Sequence, residues 1–277
     1  MTIAHLSDIH FGRIAHEHIV EDLMRDIATH EVDLVAVSGD LTQRALPREF
    51  EAAAAMLDAF ETPVLVVPGN HDVYPWWNPI RRIRHPLRRY RRYITDEMTP
   101  KYEQEGVAVL GVNSAHGWTI KGGRLGDEAL QTIQTYFSAR AGHFNGLVLH
   151  HHLTKLRNLL RGHDIVWHAQ RVLEIAVTSG VDLILCGHLH TSHIEPIEVV
   201  PGERRLIIAS AGTATSNRGR GSDRSANVYS IVTVDDAKVT VQERCYEPAL
   251  RSFAARATTQ FERGATAAPQ NTDAREA

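Results

Sequence analysis

Short apolar runs alternate with helical patterns along the first part of the chain. Leu34–Val37 and Val64–Val67 are continuous apolar runs of strand length. Apolar residues recur at helical spacing over Ile19–Ile27, and an alanine-rich helix is predicted over Phe50–Phe60. Buried strands that alternate with helices are typical of βαβ units and of a largely parallel sheet. The pattern therefore predicts an α/β fold.

The same alternation returns later in the chain and then changes at His193. Further strands are predicted at Ile3–Leu6, Val107–Val112, Leu147–Leu149 and Val181–Leu185, and further helices at Glu128–Phe137 and Val172–Thr178. After these come four strands without helices between them, at His193–Val200, Arg204–Ala209, Val228–Val234 and Val239–Glu243. Consecutive strands of this kind are typical of antiparallel pairing, so we expect them to complete a second sheet.

The C-terminal residues differ in composition from the rest of the chain. From about Ala249 the sequence is rich in Ala, Arg, Thr and Gln, and beyond Arg263 it has almost no large apolar residues. Such a segment cannot bury enough apolar surface to offset the entropy of ordering. We expect one domain over residues 1–247 and a largely disordered tail over residues 248–277.

Polar side chains of metal-ligand type follow five of the predicted strands, directly where each strand ends. Ligands of α/β sheets bind beyond the carboxyl ends of the strands, so we expect these five segments to converge. Carboxylate, imidazole and amide oxygen together suit metals such as Mn, Fe, Zn or Co. The segments are Asp8-Ile9-His10, Gly39-Asp40, Gly69-Asn70-His71-Asp72, His150 and Gly187-His188-Leu189-His190.

These segments, in this order, resemble the calcineurin-like metallophosphoesterase family, and most of all its subgroup similar to bacterial cyclic-nucleotide phosphodiesterases. The resemblance covers roughly residues 1–247 and implies a four-layer αββα sandwich, with two mixed β-sheets flanked by helices. It also implies two metal ions, either Mn, Fe, Zn or Co. By resemblance, one is held by Asp8, His10, Asp40 and His190, and the second by Asp40, Asn70, His150 and His188.

One segment departs from the family pattern. Family members often have His-His-Pro where this chain has His150-His151-His152, so the register is open by one residue. We assign His150, the first of the three, as the ligand, with His151 as the alternative. By the same resemblance His71 lies above the metals beside the substrate, where it donates a proton to the leaving oxygen or stabilises its charge. Asp72 is expected to orient the His71 imidazole.

The implied activity is that of a phosphodiesterase acting on small phosphodiesters, with 3',5'-cyclic nucleotides as one candidate. The implied nucleophile is a hydroxide bridging the two metals. A nuclease of the same family and a metal-binding scaffold without catalysis are the alternatives. His116, which follows a predicted strand, and Arg124 are expected to contact the substrate from the rim of the site.

An arginine-rich segment over residues 81–92 follows the Asn70-His71-Asp72 loop. It predicts an amphipathic helix with a basic face in solvent, bent near Pro86. The alternative is a cap that attracts anionic phosphoesters to the metals. The preceding Trp76 and Trp77 are expected to pack in the core or in a lid, with stacking on a nucleobase as the alternative. The apolar residues that recur at helical spacing in this segment are Ile80, Ile83, Leu87 and Tyr90.

Composition adds little to these expectations. The net charge of −3 over 277 residues gives no global attraction to nucleic acid or to an acidic membrane. The two cysteines do not make a disulfide framework, and no signal peptide or membrane-spanning run is visible. We expect a reduced cytoplasmic protein with a small phosphodiester substrate and no membrane partner. Nucleic acid is the less favoured partner, and the oligomeric state stays open.

Overall fold

The computed structural model of the chain describes residues 1–154, 165–199 and 205–263, and the backbone of residues 270–272. Within these ranges, no helix has the length and hydropathy needed to cross a membrane. A short 3-10 helix covers Gly221–Asp223. The α-helices are α1 (Ile19–Ala28), α2 (Pro47–Asp58), α3 (Pro79–Arg84), α4 (Arg88–Tyr93), α5 (Asp127–Ser138) and α6 (Ala169–Thr178).

The strands form two large sheets and one two-stranded ribbon. In chain order they are β1 (Thr2–Leu6), β2 (Leu34–Val37), β3 (Val64–Val66), β4 (Lys101–Gln104), β5 (Val107–Gly111), β6 (Gly123–Arg124), β7 (Phe144–Val148), β8 (Val166–Trp167), β9 (Leu183–Cys186), β10 (His193–Ile197), β11 (Leu206–Ser210), β12 (Val228–Val234), β13 (Lys238–Glu247), β14 (Ser252–Glu262) and β15 (Gln270–Thr272). The first sheet has the order β15-β14-β13-β12-β1-β2-β3, and the second has the order β10-β11-β9-β7-β5-β4. The ribbon pairs β6 with β8.

Local sequence explains why helices and strands alternate in the first half of the fold. Pro47 opens α2, where its fixed φ suits the first turn and its missing N–H is not needed. The Glu49 carboxylate caps the same helix, accepting hydrogen bonds from the backbone N–H groups of Arg44 and Leu46. The parallel strands β1, β2 and β3 are connected through α1 and α2, as the apolar pattern predicts.

Three apolar clusters hold the layers together. Residues of both sheets, among them Leu34 and Val148, form the cluster between them. Leu23 of α1 and Phe50 of α2 pack with α4 on the outer face of the first sheet. Ile133 of α5 packs with α6 on the outer face of the second. The expected four-layer αββα sandwich with two mixed sheets is therefore confirmed.

The strands after His193 do not form one sheet, contrary to the expectation. β10 and β11 extend the second sheet, and β11 runs parallel to β9. β12 instead pairs with β1 in the first sheet, and β13 pairs with β12. All five residues of β11 are buried, which is typical of a parallel strand covered on both faces. Val200 and Arg204, at the ends of two predicted strands, lie outside the described residues.

The expectation of disorder after residue 247 is wrong for β14. This strand pairs antiparallel with β13 from Ser252 to Glu262, with one register shift opposite Glu243 and Arg244, and its Phe253 and Phe261 side chains are buried. Two buried aromatic side chains and the backbone hydrogen bonds to β13 order a segment that is otherwise poor in large apolar residues. Residues 264–269 and 273–277 of the expected tail lie outside the described part of the chain.

The arginine-rich segment forms two short helices, α3 and α4, and the predicted break falls at Pro86. Leu87 and Tyr90 are buried as an apolar face would be. Ile80 and Ile83 of α3 are exposed, because no element of the described chain packs over that side of the short helix. The expectation of core packing is also wrong for two preceding side chains, which are exposed: Trp76 and Trp77.

Asp22 of α1 connects the helix layer to the C-terminal hairpin. Its buried carboxylate accepts hydrogen bonds from Tyr246 Oη at 2.7 Å, Arg251 Nη2 at 3.1 Å and Arg25 Nη1 at 2.9 Å. Burial alone would raise the pKa of Asp22, but the hydrogen bonds from Arg251 and Tyr246 outweigh it and lower the pKa. The charged carboxylate is therefore part of the folded state at neutral pH.

We expect Asp22→Asn to lower the free energy of unfolding by on the order of 2 kcal/mol near neutral pH, since a neutral amide cannot replace an acceptor of three donors. Because the folded-state pKa is depressed, this stabilisation is present above the unfolded-state pKa and is lost as the pH falls toward the folded value. Denaturant unfolding near pH 7 and near pH 3 measures it. An equal difference between variant and wild type at both pH values would contradict this role.

Candidate metal centre

The predicted ligands all lie at the carboxyl ends of parallel strands. The ends of β1, β2 and β3 in one sheet meet those of β7 and β9 in the other, because hydrogen bonds cross between the loops that follow them. The His188 backbone N–H donates to Asp8 Oδ2 at 2.9 Å, and His150 Nδ1 donates to Ser38 O at 2.7 Å. Within each sheet, Asp8 N donates to Gly39 O at 3.1 Å and Gly187 N donates to His150 O at 3.0 Å. The fold therefore brings five distant segments of the sequence to one place.

The first group of side chains is fully buried and converges on one point. His10 Nε2 lies 3.6 Å from Asp8 Oδ1 and 3.6 Å from Asp40 Oδ2. His190 Nε2 lies 3.5 Å from Asp8 Oδ1. All four ligand atoms lie within 4.8 Å of one another. Two carboxylates and two imidazoles thus surround a space of the size that a metal ion needs.

The second group lies on the other side of Asp40. Asn70 Oδ1 is 3.1 Å from His150 Nε2 and 2.9 Å from His188 Nδ1. His150 Nε2 is also 3.4 Å from Asp40 Oδ1. Asp40 therefore turns one carboxylate oxygen toward each group. A carboxylate in this position can bridge two metal ions.

Hydrogen bonds from the surrounding loops fix which atom of each ligand faces the centre. His10 Nδ1 donates to Thr42 O at 3.1 Å and His150 Nδ1 donates to Ser38 O at 2.7 Å, so the Nε2 atom of each ring faces the centre. Asp8 Oδ2 accepts hydrogen bonds from Ser7 Oγ and from the His188 backbone N–H. Asp8 Oδ1 is thereby left toward the centre. Partners of this kind are what orient metal ligands.

Three of the ligand atoms lack hydrogen-bond partners in the described part of the chain, and this tests whether metal ions fit. Asp8 Oδ1, His10 Nε2 and Asp40 Oδ2 are buried and have no hydrogen-bond partner among the described residues. Burying two carboxylates without full compensation is unfavourable. Burial opposes their ionisation, but the neighbouring imidazoles keep the pKa of Asp8 and Asp40 low. Two divalent cations would satisfy these atoms and balance their charge, so the residues fit a pair of metals.

Most of the predicted ligands have a strained backbone conformation. Residues other than glycine rarely adopt φ between +20° and +160°, and such conformations concentrate at functional sites. Five of the seven predicted ligands do so, with φ between 52° and 73°. They are Asp8, His10, Asp40, His188 and His190.

The fold, the paired ligand groups and their strained loops agree with a comparison at the level of protein families. Residues 1–192 match the family described as Calcineurin-like phosphoesterase. The chain belongs to this family. The resemblance inferred from the ligand segments is therefore confirmed, and so is the general class of a phosphoesterase with candidate metal-binding residues.

Several curated relatives are similar to this chain at low identity. Glycerophosphodiester phosphodiesterase GpdQ of Enterobacter lignolyticus is 24% identical over 205 residues, which are 69% of this chain and 71% of that protein. A probable cyclic nucleotide phosphodiesterase of Moraxella catarrhalis is 27% identical over 215 residues, with 69% and 72% covered. The cyclic adenosine monophosphate phosphodiesterase CpdA of Haemophilus influenzae is 24% identical over 162 residues, with 58% and 56% covered. The chain spans 46% of an uncharacterised metallophosphoesterase of Helicobacter pylori to which it is 22% identical.

Solved structures show the same fold. Purple acid phosphatase PPD1 from yellow lupin superimposes with a TM-score of 0.67 at 12% identity, over 95% of this chain and 53% of that one. A predicted phosphoesterase from Streptococcus pneumoniae superimposes with a TM-score of 0.50 at 16% identity, over 95% and 97% of the two chains. At these identities the likeness concerns the fold alone.

His150 and His151 occupy different environments in this family member. His150 Nε2 lies beside both Asn70 and Asp40, as described above. His151 Nδ1 lies 2.8 Å from Ser114 Oγ, while its Nε2 is buried without a partner in the described structure, close to His188. The geometry favours His150 as the histidine that binds the same metal ion as Asp40 and Asn70, and the assignment stays a prediction.

His71 lies beside the centre but is not held by Asp72. Its Nδ1 donates to Gln43 O at 2.7 Å, and Arg218 Nη1 donates to its Nε2 at 2.9 Å. The prediction that Asp72 orients this imidazole is wrong, because the group that accepts the Nδ1 hydrogen bond is the Gln43 carbonyl. Burial, together with repulsion from His10 and Arg218, lowers the pKa of His71 to about 4. The ring is therefore neutral near pH 7, with its lone pair on Nε2.

Asp72 instead connects the loops that carry two of the ligands. Its fully buried carboxylate accepts hydrogen bonds from the backbone N–H groups of Gly69 and Thr42 at 2.9 Å and of Leu41 at 3.2 Å. Burial and the nearby Asp40 charge raise the pKa of Asp72 to about 6. Asp72 thus holds the loop after β3 against the loop after β2.

The two predicted substrate contacts do not line the pocket at the ligands. His116 is half-buried, and its Nδ1 accepts a hydrogen bond from the Trp118 backbone N–H at 3.3 Å. The Arg124 side chain is exposed, and its guanidinium lies 5.5 Å from the Trp167 ring. Neither lines the pocket that contains Asn70 and His190, so their expected roles gain no support from the structure.

Three cationic side chains that sequence reasoning missed do line this pocket: Lys121, Arg218 and Arg220. The two arginines lie in the loop after β11. Because β11 is parallel to β9, its carboxyl end points to the same edge as the ligand-bearing strands. The sequence pattern predicts that β11 is antiparallel. Ligands of α/β sheets bind beyond the carboxyl ends of parallel strands, so a parallel β11 would have indicated this loop as part of the site.

Proposed function

We propose that the protein is a phosphodiesterase that hydrolyses small phosphodiesters, with 3',5'-cyclic nucleotides among its candidate substrates, at a centre of two metal ions. The observation that carries the proposal is the position of Asp40, which turns one oxygen toward each of two ligand groups. The names of the GpdQ and CpdA relatives support the substrate class. The absence of thiolate among the proposed ligands suits Mn, Fe, Zn or Co held by oxygen and nitrogen.

The proposed assignment divides the ligands into two sets that share Asp40. Asp8, His10 and His190 complete the first set, and Asn70, His150 and His188 complete the second. When bound, such a pair of metals offsets the charge of phosphoryl oxygens and lowers the pKa of water. The chain itself supplies ligands, and hydrogen bonds with backbone groups orient several of them, among them Asp8, His10 and His150.

The cationic side chains give the chain its own means of binding phosphate. Lys121, Arg218 and Arg220 place positive charge around the pocket, where it attracts an anionic diester and holds it by charge-assisted hydrogen bonds. Arg218 Nη1 now donates to His71 Nε2, and a phosphoryl oxygen can replace that acceptor. We assign Arg218 to stabilise charge on the phosphoryl group, and His71 to position Arg218.

Proton donation by His71 to the leaving oxygen stays a prediction, and it requires that both ring nitrogens be protonated. Since Gln43 O accepts the Nδ1 proton, His71 can donate from Nε2 only as an imidazolium ion. A pKa of about 4 disfavours that ion before substrate is bound. An acid role therefore requires that the substrate's negative charge raise the pKa of His71 after Arg218 has turned to the phosphate.

Arg218→Ala is expected to lower kcat/KM for bis-p-nitrophenyl phosphate by about 10²–10³, the usual effect of removing a preorganised donor to the transition state. Metal content is expected to stay unchanged, because Arg218 is not in either ligand set. Arg48→Ala, which removes an exposed arginine on α2, is the matched control. A change of less than about twofold in Arg218→Ala would contradict the assignment.

His150→Asn and His151→Asn test the register of the triple histidine. We expect the first to lose about one metal ion per chain and the second to retain both, because only His150 Nε2 lies next to Asn70 and Asp40. Elemental analysis after gel filtration measures the ratio of metal to protein. The reverse result would assign His151 as the ligand.

One substrate panel tests the proposed activity. The manganese-loaded protein is compared on bis-p-nitrophenyl phosphate, p-nitrophenyl phosphate, cyclic AMP and single-stranded DNA. We expect the diester to be hydrolysed faster than the monoester, with cyclic AMP among the substrates. Cleavage of DNA alone would favour the nuclease, and no hydrolysis with both metals bound would favour the scaffold.

A further inference from the structure

Four large apolar side chains around α3 are exposed to solvent although the sequence pattern places them in a packed face. Their exposed fractions lie between 46% and 68%. Single exposed apolar side chains are common, but a group of large ones in one short segment marks an interaction site. The four are Trp76, Trp77, Ile80 and Ile83.

A second exposed segment lies directly against α3. Trp118 and Ile120 are 73% and 61% exposed. Buried Arg82 of α3 holds the loop that carries them, with Nε donating to Gly117 O at 3.1 Å and Nη2 donating to Thr119 O. A Cβ on Gly117 would lie 1.9 Å from Arg82 O, so the loop packs on the helix backbone without space between them. The two segments therefore form one continuous surface.

This surface lies beside the candidate metal centre. Asn70 Nδ2 donates to Ile120 O at 3.2 Å, and the next residue, Lys121, lines the pocket at the ligands. On the other side, the Arg44 guanidinium lies 5.7 Å from the centre of the Trp77 ring. A ligand on this surface would thus lie close to the opening of the pocket.

Positive charge accompanies the apolar side chains. A cavity of about 620 Å³ next to α3 is lined by four arginines, and Asp96 is the single carboxylate among its described lining residues. Arg84 and Arg88 have no ion-pair partner within the described ranges. The chain as a whole carries a net charge of −3, so this positive region is a local feature. The four are Arg84, Arg88, Arg91 and Arg92.

We propose that this apolar–basic surface, formed by residues 76–92 and 118–120, binds the surface of a membrane that contains anionic phospholipids. Trp and Ile side chains enter the boundary between headgroups and acyl chains, and arginines bind lipid phosphates. A second copy of the chain is a poorer partner, since a twofold interface would bring the same arginines together. The expectation of no membrane partner rested on global charge and on spanning runs, and neither excludes a peripheral contact.

Cosedimentation of the full-length, metal-loaded protein with vesicles tests the proposal. The vesicles contain phosphatidylcholine alone or with about one third phosphatidylglycerol. We expect the protein to pellet with the anionic vesicles and to be released as salt is raised. We expect Trp76→Ser/Ile80→Ser and Arg84→Ser/Arg88→Ser each to lower the partition coefficient at least about tenfold. Leu250→Ser is the matched control, because Leu250 is 69% exposed in the β13–β14 connection, and it is expected to bind like the wild type.

The proposal is wrong if the wild type stays in the supernatant with anionic vesicles, or if Trp76→Ser/Ile80→Ser pellets like the wild type. A wild-type dimer that this variant converts to a monomer, without vesicle binding, would assign the surface to a second copy instead. Hydrolysis of bis-p-nitrophenyl phosphate without vesicles is expected to be unchanged in all these variants. Vesicle binding without any hydrolysis would overturn the proposed function and leave this inference standing.

Discussion

Asp40→Asn is expected to lower kcat/KM for bis-p-nitrophenyl phosphate by at least about a thousandfold, which is about 4 kcal/mol of transition-state stabilisation. The amide keeps the size of the carboxylate but not its charge, and its nitrogen cannot act as a ligand. One of the two ligand sets that share residue 40 must then lose an oxygen ligand. We expect metal content to fall from about two ions per chain to one or fewer.

Thermal unfolding gives a second measure of the same change. A metal that binds only the folded state raises the unfolding temperature, so wild type is stabilised by added manganese. Asp40→Asn is expected to lose most of this stabilisation. Asp58→Asn, at an exposed carboxylate where α2 ends, is the matched control and is expected to behave like the wild type. Two metal ions retained in Asp40→Asn would contradict the bridging role.

Gly69→Ala is expected to damage the same centre without changing any ligand. A Cβ at residue 69 would lie 2.1 Å from Asp40 Oδ1 and 2.3 Å from the Asp40 backbone N. Real Cβ contacts are not this short, so the loop after β2 or the loop after β3 must move. We expect a loss of at least about a hundredfold in kcat/KM, because displacing reacting groups by about 1 Å has effects of this size.

The free energy of unfolding is expected to fall by about 1–3 kcal/mol in Gly69→Ala, as in other overpacked sites. Gly126→Ala is the matched control, since no atom lies within 4 Å of its added Cβ and its φ of −75° suits alanine. Parallel measurements of kcat/KM, metal content and denaturant unfolding are required. Full activity in Gly69→Ala would show that the tight contact between the two loops is not needed.

The predicted ligands could be read from the sequence because each stands immediately after an apolar strand. Asp8, Asp40 and His188 each lie a few residues after a strand in the sequence. Parallel strands bring their carboxyl ends to one edge of the sheet, wherever the strands lie in the chain. The convergence of carboxyl ends also explains the position of Arg218, but this residue could be predicted only if β11 were known to be parallel. That pairing is decided by β9, whose paired residues lie 24 positions earlier (Leu183 beside Ile207), and not by the residues of β11 themselves.

Other features escaped the sequence because they depend on contacts that composition does not show. The composition of β14 is that of a disordered tail, but the strand is ordered by pairing with β13. A hydrogen bond from Arg251 to Asp22 of α1 holds the connection between the two strands. The apolar pattern of α3 looks like a core face, yet no element of the described chain covers Ile80. In each case the deciding partner lies far away in sequence or outside the fold.

Crystals of the manganese-loaded protein, measured on both sides of the manganese absorption edge, test the central claim most directly. We expect two anomalous peaks per chain, one among Asp8, His10 and His190 and one among Asn70, His150 and His188, with a different oxygen of Asp40 facing each. A single peak, or two peaks that Asp40 does not contact, would contradict the assignment of a shared two-metal centre.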